Sequence, residues 1–197
     1  MDSGTAGLIG VIVGAGLTTL VKLVEHLILR KRATHYLVAR VAPQLQRFVV
    51  ACAKAASDYG EEDADGDAHA ATAKPEFSPA SLDVEWKTLP PRLMYAIWNL
   101  PNRAEFGEGY LDAVAENDFP SDGSYLLERR LTYANLGLEA NDILMQLLSL
   151  GKLPAAPIDR WDPVDVMTRE RDKINEQNAK WQSEQAQWVA QSPLSAA

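Results

Sequence analysis

The stretch GVIVGAGLTTL, Gly10 to Leu20, decides the fold, because it fits two incompatible structures. One is a short apolar strand that turns at Gly14-x-Gly16 into a helix, an arrangement that brings backbone N–H groups up to a dinucleotide phosphate. The other is the middle of a glycine-rich helix crossing a bilayer. The first would make the chain a redox enzyme of the α/β class. The second would make it an anchored protein.

The phosphate-turn reading needs G-x-G-x-x-G, whose third glycine lets the helix lie close on its strand. Thr19 stands at that position, and a β-branched side chain there holds the two apart. An acid about 20 residues further on should meet the ribose, yet no Asp or Glu occurs between Glu25 and Asp58. The following LVKLVEHLILRKRATHYLVARV keeps helical spacing without a turn signal, so no second strand follows. The rest of the chain lacks the strand–helix alternation of a doubly wound sheet. The spacing therefore predicts an all-α protein.

The membrane reading fares better. Ser3 to Val21 contains no charged residue, and at about 1.5 Å per residue the run nearly matches a hydrocarbon layer about 30 Å thick. Lys22 and Glu25 extend it into the headgroups, and Arg30-Lys31-Arg32 closes it with a basic collar. Only Asp2 precedes it. Basic residues concentrate on the cytoplasmic side, so the expected orientation is N-terminus out and C-terminus in, across the inner membrane. A cleaved leader would carry its positive charges before the apolar run and a small-residue cleavage site after it, and neither is seen. At 100° per residue, Gly7, Gly10, Gly14 and Thr18 share, with Gly4, one face about 120° wide. Gly10-x-x-x-Gly14 has the spacing that lets two helix backbones approach. These four residues are the expected site of association, with a second copy or with another membrane helix.

Residues 1–32 hold four of the 19 Lys and Arg and two of the 27 Asp and Glu, leaving 15 against 25 in the remainder. A net charge of about −10 argues against nucleic acid, since phosphate affinity comes from clustered Lys and Arg. Cys52, the one cysteine, rules out an internal disulfide and a cysteine-based zinc site, and agrees with a reducing cytoplasm.

Beyond the collar, Leu37, Val41, Leu45, Phe48, Cys52, Ala55 and Tyr59 step by three and four, the mark of an amphipathic helix. Pro43 is expected to kink or restart it. Residues 58–80 form an acidic loop expected to be solvated and flexible. A calcium-loop register through Gly66 fails, because Thr72 stands where a bidentate Glu is needed. From Asp83 to Arg103 the chain is densest in aromatics. A helix is expected from Pro90-Pro91 to Pro101, and a second, capped by Asn102, to about Glu116. Trp86, Tyr95, Trp98, Phe106 and Tyr110 either pack this hairpin on the core or line an aromatic groove for a ligand. A long helix follows, with Tyr125, Leu127, Leu131, Ala134, Leu138, Met145 and Leu148 as its apolar stripe. Gly151 and Pro154 end it, and Gly137 marks a close helix crossing. Asp162 and Pro163 start a last, polar helix to about Ala190, where Trp181 and Trp188 are expected to anchor a partner or to lie on the bundle.

No phosphate-cradling loop, HExxH or nucleophile elbow is present. His26, His35 and His69 have no triad spacing to a Ser, Cys or carboxylate. No catalytic residue, cofactor or metal is therefore expected. No characterised family is recognised; EWKTLPPRLMYAIWNLPN and YANLGLEANDI resemble segments of a recurrent bacterial helical protein, a resemblance that implies no activity. The expected organisation is an anchor with its collar (1–32), a small cytoplasmic helical bundle (33–154), and a linker with a polar C-terminal helix (155–197). The expected function is an anchored, self-associating interaction or scaffold protein that also meets a cytoplasmic protein. A tethered small-molecule sensor is the alternative, and a dinucleotide oxidoreductase comes third.

Overall fold

The computed structural model describes residues 3–64, 68–117, 123–157 and 160–191. In the first helix, side chains are described for Lys22 and from Val24 onward. The fold is all-α. Four helices are present among the described residues: α1 (Ser3–Ala56), α2 (Pro91–Asn117), α3 (Ser124–Gly151) and α4 (Pro163–Gln191). Two short strands, β1 (Glu61–Glu62) and β2 (Ala68–His69), pair antiparallel after α1. Single 3₁₀ turns at Pro79–Ser81 and Trp86–Thr88 shape the strap that leads to α2.

α3 is the central element and packs on all three other helices. Its partners fix the directions. Gly151 meets Val38 and Gly137 meets Cys52, while Arg129 meets Asp58, so α1 and α3 are antiparallel. Arg103–Glu139 and Tyr110–Glu128 make α2 antiparallel to α3 as well. Gly137 against Met167 and Arg130 against Glu170 do the same for α4, which therefore runs parallel to α1.

α1 is one helix of 54 residues, about 80 Å long at 1.5 Å per residue. Leu37, Val41, Leu45, Phe48, Cys52 and Ala55 are buried as the spacing required. Val38, Ala42, Val49, Ala53 and Ala56 add a second buried line, whereas Tyr59 is exposed. Pro43 neither breaks nor restarts the helix. It lies on the exposed side, as does Ala39, so the carbonyl that loses its N–H partner is not shut into the core. The flanking Val41, Ala42 and Leu45 are buried and hold the helix across the gap.

The expected aromatic hairpin is also one helix. Pro101 sits inside α2, and buried Ile97, Leu100 and Leu111 tie the two halves to the same core. On α3 the buried line is displaced from the expected stripe. Met145 is exposed and Leu127, Leu131 and Leu138 are only half-buried. Ala134 and Leu148 of that stripe are buried as expected, and the buried face extends to Leu126, Arg130, Tyr133, Gly137, Ala140, Leu144, Leu147 and Gly151. Small residues set it, because they let neighbouring backbones come closest. A Cβ on Gly137 would lie 2.7 Å from the Cys52 Cβ and also strike the Met167 sulfur, so the close crossing read from Gly137 involves three helices.

Gly151 serves packing rather than a left-handed turn, since a Cβ there would meet Val38 at 2.7 Å. The left-handed cap residue is Lys152, at φ 51°. Its N–H donates to the Ser149 carbonyl and that of Leu153 to the Leu148 carbonyl, the Schellman pairing. Asp162 caps α4 as expected, its Oδ1 accepting from the Val164 N–H at 2.9 Å.

Among the described residues, no helix is long and apolar enough to cross a membrane. The side chains of the apolar run Ser3–Val21, on which the membrane-spanning expectation rests, lie outside the described residues.

Candidate functional site

Three features merit attention: a buried charge network, an apolar cleft, and outward-facing aromatic side chains on α2 and α4.

The network lies where α1 ends. Asp58 is 5% exposed and Arg129 4%, and Nη1 of Arg129 donates to Oδ2 of Asp58 at 2.9 Å. The Thr72 hydroxyl donates to the same oxygen at 2.6 Å and the Thr72 N–H at 2.8 Å. The N–H groups of Gly60 and Ala71 donate to the other oxygen. Burial alone would raise the Asp58 pKa. The Thr72 hydroxyl and the Thr72, Gly60 and Ala71 N–H groups outweigh it and hold the carboxyl at about 2. One carboxylate thus ties the start of the acidic loop and its Ala71–Thr72 stretch to α3. Beside it, Arg130 pairs with Glu170 and lies 3.8 Å from the centre of the Tyr59 ring. The Tyr59 hydroxyl donates to Glu170 and accepts from Lys173. Further along, Tyr133 donates to Glu108, which also pairs with Lys74 at 2.9 Å. Every buried side-chain nitrogen and oxygen among the described residues has a partner. Such a network fixes structure; its charges are spent on one another.

The sequence reading missed this network. The available signal was Arg129-Arg130 between Leu126-Leu127 and Leu131, since an arginine turned toward a core implies an acid to meet it.

The cleft lies between α1, the end of α3 and the linker. Ala39, Ala42, Pro43, Leu148, Leu153 and Pro154 line a volume of about 550 Å³. An adjoining hollow reaches Asn141 and Trp161. The walls are mainly aliphatic, and Arg47 is the one charged residue on the first of them. The cleft suits an apolar group more than any proton transfer. Cys52 offers no nucleophile, because burial pushes its thiol up to about 12. His69 bonds Asp63 at 2.9 Å on the exposed loop. No group of three metal-ligating side chains occurs among the described residues.

The five aromatic residues expected at a groove do not surround one space. Tyr95, Trp98, Phe106 and Tyr110 lie on the outer side of α2, all exposed. Trp86 comes from the strap and meets Trp98 edge-on, with ring centroids 5.4 Å apart. Trp181 and Trp188 are 75% and 71% exposed, although Met167 and Ile174 on the same stripe are fully buried. The first half of α4 is therefore bundle and the second half stands clear of it. An open hollow of about 710 Å³ runs along Trp181 and Trp188 beside Glu128. The side chains of Gly7, Gly10, Gly14 and Thr18 lie outside the described residues; the backbone there belongs to α1.

No family model matches the chain, and no curated protein or solved structure matches it either.

Proposed function

We propose that the chain is a membrane-anchored, self-associating interaction module, which holds its acidic helical bundle on the cytoplasmic face of the inner membrane and offers it to protein partners. The observation that carries the reading is the continuity of α1. The helix that supplies the centre of the bundle from Leu37 to Ala56 is the same helix that contains the uncharged run Ser3–Val21. Between them, Val24, Leu27, Ile28 and Leu29 are exposed next to Arg30, Lys31 and Arg32. Aliphatic side chains without protein cover, followed by a basic collar, suit the boundary of a bilayer with an anionic inner surface. The glycine face that includes Gly10 and Gly14 supplies the self-association, and the exposed aromatics of α2 and α4 supply the interaction surfaces.

Alkaline carbonate extraction of membranes from cells that express the full chain tests the anchor. Retention in the pellet is expected. Release into the supernatant would end the anchored reading. A second reading, a tethered sensor of a small apolar molecule, is favoured by the cleft of about 550 Å³ beside Pro43 and Leu153 rather than by the aromatic residues. A ligand bound there raises the melting temperature by mass action. Leu153→Asp should remove that rise.

A further inference from the structure

The outer side of α2 carries more than exposed rings. At 100° per residue, Tyr95, Trp98, Phe106 and Tyr110 fall within about 120° of arc and extend about 22 Å along the helix. Phe106 is 78% exposed and Tyr95 69%. An aromatic stripe of this length left open on a bundle marks an interaction surface. Two of its members are braced: Trp98 by Trp86, and Tyr110 by a 3.1 Å hydrogen bond to Glu128. Such rings lose little freedom when a partner covers them.

The charges beside the stripe select the partner. Exposed Glu105, Asp112 and Glu116 run along one edge of it. Among the described residues none of the three enters an ion pair, whereas the nearby Glu108 and Glu139 are paired with Lys74 and Arg103. The last turn of α2 holds no basic residue, so Glu116 adds to the negative end of the helix dipole instead of offsetting it. Of the basic residues of α2, Arg92 lies at the other end of the stripe, and Arg103, on its opposite edge, is paired with Glu139. A cationic partner relieves this concentration of negative charge, and its Lys or Arg side chains also lie well on the faces of Trp and Tyr.

We infer that the face of α2 formed by Tyr95, Trp98, Phe106 and Tyr110, edged by Glu105, Asp112 and Glu116, is a docking surface for a basic amphipathic helix of a partner protein. The partner's aliphatic residues cover the rings and its Lys or Arg residues meet the carboxylates. The inference rests on the interaction part of the proposed function and not on the anchor.

The test uses the full chain in a non-ionic detergent and a fluorescent 18-residue helical peptide of Leu and Lys in amphipathic order. A Leu/Glu peptide of the same pattern serves as control, and binding to protein-free micelles is subtracted. Saturable binding of the Leu/Lys peptide is expected, with the Leu/Glu peptide at least tenfold weaker. Tyr95→Ser combined with Phe106→Ser should weaken the Leu/Lys peptide at least tenfold, with helix content and melting unchanged because both side chains are exposed. Glu105→Gln, Asp112→Asn and Glu116→Gln together should weaken it and flatten its salt dependence. Equal binding of the two peptides, or no loss in the aromatic double variant, overturns the inference. Loss in Trp181→Ser with Trp188→Ser but not in the α2 variants also overturns it, by moving the site to α4. None of these outcomes depends on carbonate extraction, so the two readings fail separately.

Discussion

At the scale of the residue, two positions show how little room the core leaves. Gly137 costs α3 about 1 kcal/mol of helix propensity relative to alanine, yet Gly137→Ala should destabilise the chain by about 1–3 kcal/mol in urea unfolding. Met167 can swing its sulfur away, but the Cys52 Cβ at 2.7 Å moves only with the α1 backbone. A more stable variant would mean that α1 and α3 separate without cost. Asp58 shows the same economy in charge. Its carboxyl sits at about 2 in the fold, below an ordinary value near 4, so the folded state binds the proton less readily than the unfolded chain. The resulting stability, about 2 kcal/mol, is complete above pH about 4 and disappears as pH falls from there toward 2. Thr72→Val removes the hydroxyl that donates to Asp58 at 2.6 Å, and the decline in stability between pH 5 and 2 should become shallower. An unchanged decline would assign the acid sensitivity to other carboxylates.

At the scale of the element, the helices were legible and their inward faces only partly so. Apolar spacing located α1 from Leu37 to Ala55, and Asp162-Pro163 located the start of α4, because spacing and caps are local physics. The restart expected at Pro43 and the stop expected at Pro101 do not occur, since a proline breaks a helix only if neighbouring packing does not hold it across the missing bond. On α3 the large residues drew the stripe onto Leu127, Leu131 and Met145. Contact instead follows Gly137, Ala140 and Gly151, where backbones come close. Arg129 and Arg130 could be suspected from the sequence, but their partners could not, because Asp58 and Glu170 lie 71 and 40 residues away. Of the candidate surface residues, composition singled out the aromatics of α2, but not that they share an open face on one unbroken helix. The first half of α4 is buried on the bundle and the second half stands clear of it, and the division is testable. Ile174→Ala, fully buried, should cost about 2–5 kcal/mol. Trp188→Ala, fourteen residues further along the same stripe, should change stability by no more than about 0.5 kcal/mol. Comparable losses would mean that the second half of α4 also packs on the bundle.

At the scale of the whole molecule, a continuous α1 couples whatever happens at its first residues to the position of the bundle. On the anchored reading proposed above, two chains brought together along Gly10 and Gly14 would each bring the part after residue 32, of about −10, to the same side of the membrane. Like charge on both bundles opposes that meeting, and the opposition is screened by salt over about 10 Å at 0.1 M. On the same anchored reading, the glycine contact is placed in a lipid or detergent interior that salt does not reach. Self-association of the full chain in neutral detergent should therefore tighten severalfold between 20 and 300 mM salt, as read by sedimentation or cross-linking. Gly10→Ile with Gly14→Ile should abolish it at both salt concentrations, because branched side chains hold the two backbones apart. The opposite trend, weaker association at higher salt, would place the contact between charged surfaces of the bundles, and association that survives the isoleucine pair would remove the glycine face from the interface. A neutralised variant separates the terms: replacing Glu61 and Glu62, both exposed on the loop, with Gln should tighten association at low salt and leave it unchanged at high salt.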